Sequence, residues 1–119
     1  MDAISAGTVD NIKWYTDGTN NFGTGVTSVG NTATSYVQAT GTAGTSGTQL
    51  TTGNYSSLDA TPVDVFSLTS GSPQSVTGTT TTTGDLGSFF VYQIVVGTTA
   101  SSGATASETF TWKYDDTSS

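Results

Sequence analysis

The sequence predicts an all-β protein: a single antiparallel β-sandwich of about seven strands over residues 1–119. Three observations carry that expectation. At 119 residues the chain has the length of one domain. Helix formers are scarce, with one Glu, two Lys and one Met, while Thr, Val, Tyr, Phe and Trp, which suit a pleated and half-buried surface, are plentiful. Gly, Asn and Asp punctuate the chain roughly every eight to twelve residues, the spacing of short strands in a sandwich or barrel. No fixed-period repeat is present.

In chain order, residues 9–15 form the first expected strand, with Ile12 and Trp14 on one face and Lys13 and Tyr15 on the other. Asp17-Gly18 then turns the chain. Weaker strands are expected at residues 33–40 (around Tyr36 and Val37), 63–68 and 74–82, with Leu50 and Leu58 anchoring a short middle section. Residues 88–96 carry apolar side chains on both faces, which predicts a central strand covered on both sides, or one whose outer face meets a partner. Residues 97–107 read as the hairpin connection to the clearest strand, residues 110–114. There Phe110, Trp112 and Tyr114 alternate with Thr111 and Lys113, so that one face is core and the other solvent. The Thr-rich patches at 79–83 and 98–107 are too short to be separate linkers.

Composition separates a folded chain from a merely polar one. Leu, Ile, Val and Phe make up 22 of 119 residues, just under the roughly 20% level at which disorder becomes a live reading. Disorder also favours high net charge and few aromatics. Here the formal charge is -7, and twelve aromatics gather in alternating stretches, as in a chain with a core.

The missing side chains exclude much chemistry. There is no Cys, His or Arg and there are two Lys, so imidazole acid–base work, thiol nucleophiles, Cys/His zinc sites and arginine phosphate clamps are excluded. Two lysines supply no footprint for nucleic acid. No enzyme activity and no cofactor are expected. The opening Met1-Asp2-Ala3-Ile4-Ser5-Ala6-Gly7 lacks the basic start and apolar run of a secretory signal, and residues 89–96 are too short for a membrane helix. Met1 either initiates an intracellular or viral protein or precedes a segment whose leader was removed. The scarcity of Lys, Arg and Glu favours the second, and with it an extracellular location without membrane insertion.

Thr, at 27 residues, and Ser, at 16, supply the polar surface that charges supply elsewhere. Thr is β-branched and its hydroxyl is at home in water. Such a surface has few titrating groups, so stability is expected to vary little with pH, acid included.

Motifs divide into chemical and structural readings. Asn54-Tyr55-Ser56 is the one Asn-x-Ser/Thr triplet, beside Gly53 in a turn-rich stretch, and marks Asn54 as a candidate glycosylation site. Asp17-Gly18-Thr19-Asn20-Asn21 offers oxygen ligands of the kind calcium takes, yet lacks the spacing of an EF-hand, and a turn whose Asp and Asn cap their own backbone needs the same residues. No metal site is therefore expected. Asp115-Asp116 would approach that loop only if the first and last strands are neighbours, and otherwise ends the last strand as solvated carboxylates. Glu108 has aspartates as partners for a glycosidase pair, but nothing predicts a cleft, and it reads as a solvent-facing residue at the start of the last strand. The alternation of Trp14, Tyr92, Trp112 and Tyr114 argues for core packing over a sugar-stacking platform. Tyr15, Phe22 and Tyr55, off the core stripes, are the candidates for surface contacts.

The segment Phe89-Phe90-Val91-Tyr92-Gln93-Ile94-Val95-Val96, the small-residue loop after it, and Glu108-Thr109-Phe110-Thr111-Trp112-Lys113-Tyr114 resemble the closing hairpin of Ig-like sandwiches in prokaryotic surface proteins. Pilus and thread subunits, archaeal archaellum-associated proteins and surface-layer modules share that style. Gly30-Asn31-Thr32-Ala33-Thr34-Ser35-Tyr36-Val37-Gln38 is similar to the strand these modules use after their first turn. The Thr-rich, charge-poor habit looks most like archaeal surface proteins. The resemblance implies an Ig-like fold at the cell surface and carries no site residues.

The expected function is non-enzymatic: an extracellular module that builds a filament, or anchors to a surface-layer protein, through its sheet edges. Asp2 to Thr8 would reach a neighbour if it does not pair within its own sheet. A glycan-binding adhesin module is the alternative from another class, and a viral structural domain a third.

Overall fold

A computed structural model describes residues 7–36, 49–51, 53, 55, 57–76, 78, 79, 81, 88–103 and 105–118, with the side chains of 7, 117 and 118 set aside. Among them the fold is all-β: two three-stranded antiparallel sheets and one 3-10 turn. The strands are β1 (Gly7–Thr16), β2 (Val26–Ala33), β3 (Val63–Asp64), β4 (Gln74–Ser75), β5 (Phe89–Val96) and β6 (Phe110–Ser118). One sheet has the order β4-β1-β6 and the other β3-β2-β5. No helix among the described residues is long and apolar enough to cross a membrane.

β1 is the central strand of the first sheet, and a bulge decides which side chains it buries. The β1–β6 register runs from Thr16 opposite Phe110 to Lys13 opposite Lys113, then resumes at Asp10 opposite Asp115, with the irregularity between. Asn11 sits there at φ 49°, in the left-handed region that Asn tolerates better than most residues. Strict alternation would send Val9 outward with Lys13 and Tyr15. The extra residue reverses the phase, so Val9 is buried on the same side as Trp14. It also brings Asp10 and Asp115 directly opposite, where the Asn11 amide donates to Asp115 Oδ2 at 2.8 Å.

β2, central in the second sheet, lies earlier than the pattern places a strand: of the expected residues 33–40 Ala33 alone ends β2, of the resemblance segment 30–38 residues 30–33 belong to it, and 37–40 lie outside the described residues. Apart from Val26, its buried residues are small or polar. Ser28 donates from Oγ to the Gln93 carbonyl at 3.1 Å, and Asn31 donates from Nδ2 to the Thr61 carbonyl at 3.1 Å. At Gly30 a Cβ would come 2.8 Å from the Val91 carbonyl oxygen and 3.0 Å from the Phe90 ring, so the neighbouring strand packs where a side chain would stand.

The expected strand at 63–68 is the two-residue β3 followed by the 3-10 turn Val65–Ser67, capped by Asp64 Oδ1, which accepts from Phe66 N at 3.0 Å. Val65 is fully buried there and joins Trp14, Leu68 and Val76 in the main core, with Ile12, Phe66, Phe90 and Phe110 packed around it. Thr16 closes the floor, with its hydroxyl within hydrogen-bond reach of the Val65 and Leu68 carbonyls and accepting from Gly18 N at 3.1 Å. Leu50 and Leu58 are buried with Ala33 in a second cluster, against Tyr55 and Val91.

Two expectations about connectivity are overturned. Residues 97–107 do not join a hairpin, because β5 pairs with β2 and β6 with β1, so this stretch carries the chain from one sheet to the other. β5 is not central either: among the described residues it pairs with β2 alone and stands at the sheet edge. Apolar side chains on both faces of a strand do not tell burial between layers from exposure at a rim.

Candidate functional site

The two sheets meet at an aromatic cluster. Trp14 of β1 stacks on Phe90 of β5 with ring centroids 3.8 Å apart and planes 16° apart. Tyr92 of β5 meets Phe110 of β6 edge-on at 5.0 Å, and Phe110 tilts against Trp14 at 5.1 Å. Phe90 therefore lies against Trp14, and Tyr92 against Phe110, at 6.4 Å from the Trp14 ring. β2 lies near β4 and the 3-10 turn, and β5 reaches the first sheet through Phe90 and Tyr92 at the Trp14 and Phe110 rings.

From that cluster the inward-facing rows of β5 and β6 run on in opposite directions. On β5 the row continues through Ile94 to Val96, and on β6 through Trp112 to Tyr114. None of these four is covered: each is about half exposed or more, Val96 most of all at 70%, and Val95 on the other face of β5 is exposed too. The expected core packing thus holds for Trp14 but not for Tyr92, Trp112 and Tyr114. Alternation gives the side to which a residue points, not whether anything lies over it. The result is one rim of the molecule formed by two edge strands whose inner faces remain apolar and open.

Charge is unevenly shared between those edges. β5 carries none, and no charged residue occurs from Leu86 to Ser107. β6 carries Lys113, Asp115 and Asp116. The chain's two lysines stand directly opposite each other in the β1–β6 register, where Lys13 Nζ donates to Ser75 Oγ at 2.6 Å.

The candidates from sequence sit as follows. Tyr15 is half-buried on β1, opposite Thr111. Phe22 is half-buried and edge-on to Phe66 at 6.0 Å. Tyr55 is half-buried against the Ala33, Leu50 and Leu58 cluster. All three keep part of their surface exposed, with Phe22 and Tyr55 also touching side chains of the chain itself. Asn54 lies outside the described residues. The more exposed aromatics among the described residues are Tyr36, Tyr92, Trp112 and Tyr114, and the signal that anticipates part of this is the apolar character of both faces of residues 88–96.

In the loop after β1, Asp17 Oδ1 accepts from Thr19 N at 2.8 Å and Asn20 Oδ1 from Phe22 N at 3.1 Å, so these oxygens cap the backbone two residues on. Among the described residues no three Asp, Glu, His or Cys side chains gather as a metal cluster would. The first and last strands are neighbours, but their antiparallel register puts Asp115 beside Asp10, at the far end of β1 from Asp17. Glu108 is the residue that reaches the loop. Expected on the solvent face, it turns inward: Oε1 accepts from Asn21 N, and Oε2 is buried without a hydrogen-bond partner among the described residues.

Comparison with family models, with curated proteins and with solved structures returns no match for this chain.

Proposed function

We propose that this chain is a non-enzymatic contact module of the extracellular surface, an Ig-like β-sandwich of about seven strands. It builds or anchors a filament, or docks on a surface-layer protein, through its sheet edges. An archaeal-type cell surface fits its Thr-rich, charge-poor exterior. The observation that carries the reading is the open rim: among the described residues β5 is an edge strand, uncharged along its length, with Tyr92, Ile94, Val95 and Val96 all exposed. Edge strands of this kind are normally blunted by lysine, proline or a bulge, and β5 has neither lysine nor proline. An edge that is apolar and uncharged is suited to gaining a strand from a partner. The test is molar mass by light scattering at neutral and acidic pH, with binding to isolated surface-layer protein in parallel. Mass above 12.1 kDa that rises with concentration, or a complex with the layer protein, supports the reading. A monomer at both pH values that binds no layer protein overturns it.

A second reading, a glycan-binding adhesin module, is favoured by the exposure of Trp112 and Tyr114 on one strand. Sugars stack on such rings. Quenching of tryptophan emission by surface glycans, lost in Trp112→Phe and kept in wild type, is the expected outcome for it.

A further inference from the structure

The geometry points to a second copy of this chain as the occupant of the β5 edge, paired antiparallel, β5 against β5, about a two-fold axis normal to the sheet. The inference rests on the reading of the chain as a contact module and names its partner. A strand added beside β5 must be uncharged to lie along it without stranding a charge, and must be apolar on both faces to match it. Within the described residues β5 alone meets that description and has an open edge. β1 carries Asp10 and Lys13, β6 carries Lys113 and two aspartates, and β2 has strands on both sides. Two copies with formal charges of -7 repel, and β5 is where they approach without bringing like charges together.

The symmetry fits the side chains. A two-fold axis normal to the sheet keeps the inward faces of both copies on one side, so the exposed Ile94 and Val96 of each join a common inner layer. Side chains directly opposite across the new ladder must share a face, so residues of equal parity pair, and a slip by one residue would turn the apolar rows outward. The axis then passes through Tyr92 or Gln93, the registers that keep all but one residue of the eight-residue strand paired. The pair closes on itself and leaves the β6 edges for other contacts.

The chain has no cysteine, so single cysteines report the register directly. Expected are a mass of twice 12.1 kDa in a concentration series and rapid disulfide dimers from one of Tyr92→Cys and Gln93→Cys. Thr111→Cys on β6 should give none. Val96→Lys, at an exposed position that the monomer tolerates, should return the chain to monomer with unchanged circular dichroism. A monomer at every concentration overturns the pairing, as do assemblies that grow without limit. So do dimers that survive Val96→Lys or crosslink only through β6. In the last three cases the contact-module reading stands while the β5 pairing falls.

Discussion

Trp14 and Trp112 stand directly opposite each other in the β1–β6 register, on the same face of the sheet, yet one is 2% exposed and the other 51%. The difference lies in what covers them: Phe90 stacks on Trp14, and among the described residues the second sheet ends at β5, leaving Trp112 half exposed. Identical side chains in identical local geometry should therefore have unequal energetic weight. Trp14→Ala is expected to cost about 3–5 kcal/mol, the range for a large aromatic removed from a core, and Trp112→Ala less than about 1 kcal/mol, as for an exposed position. Urea denaturation of the isolated monomer measures both, and equal losses would mean that Trp112 is covered in solution.

Gly30 faces the neighbouring strand so closely that an added methyl meets both the Val91 carbonyl oxygen and the Phe90 ring. Gly30→Ala is expected to destabilise by about 1–3 kcal/mol through overpacking, despite the entropy that alanine removes from the unfolded chain. Because Phe90 is the ring stacked on Trp14, near-UV circular dichroism of the variant should change as well. An unchanged midpoint and spectrum would show that β5 shifts away freely.

Glu108 joins the crossover segment to the loop after β1 through one oxygen only. Glu108→Gln keeps an acceptor for Asn21 N and removes the buried anionic oxygen, whereas Glu108→Ala leaves the amide without its partner. The expected order of stability is wild type and Gln within about 1 kcal/mol of each other, with Ala about 1–3 kcal/mol below. Thermal melts of the three proteins decide it, and an Ala variant as stable as Gln would show that the contact contributes nothing.

Acid should leave the fold standing. With nine carboxylates, two lysines and no histidine, full protonation takes the side-chain charge only from -7 to the +2 of the lysines. That is too little self-repulsion to expand a packed core. Tryptophan emission followed from pH 7 to pH 2 is expected to hold its folded value, with any midpoint below about pH 4, the model-peptide carboxylate range. Unfolding centred above that would refute it.

What the sequence reveals and conceals follows from side-chain size. β1 and β6 are legible because bulky residues alternate along them, and β5 because they follow one another almost without a break. β2 is not, because its inward positions hold Ser28, Gly30 and Thr32, and a glycine in a Ser/Thr-rich stretch reads as punctuation. The bulge at Asn11 leaves no trace in the pattern except a Val9 out of phase. Pairing is a tertiary outcome, so the assignment of β5 and β6 to different sheets lay beyond any local signal. The apolar rim is half legible: two apolar faces on β5 point to a partner or a cover, and the sheet order among the described residues places β5 at an edge with Ile94, Val95 and Val96 exposed.

Gly7 stands opposite Ser118, while Thr16 stands opposite Phe110 at the other end of the same ladder. Tension applied between Gly7 and Ser118 would therefore peel β1 from β6 sideways, one residue pair at a time, and the interruption between Asp10 and Lys13 would be the first place where few bonds share the load. Tension drawn along the strands in opposite directions would instead strain every pair at once. A thread that bears pulling forces through such modules should grip them along their strands, because a pull on the paired ends unzips them.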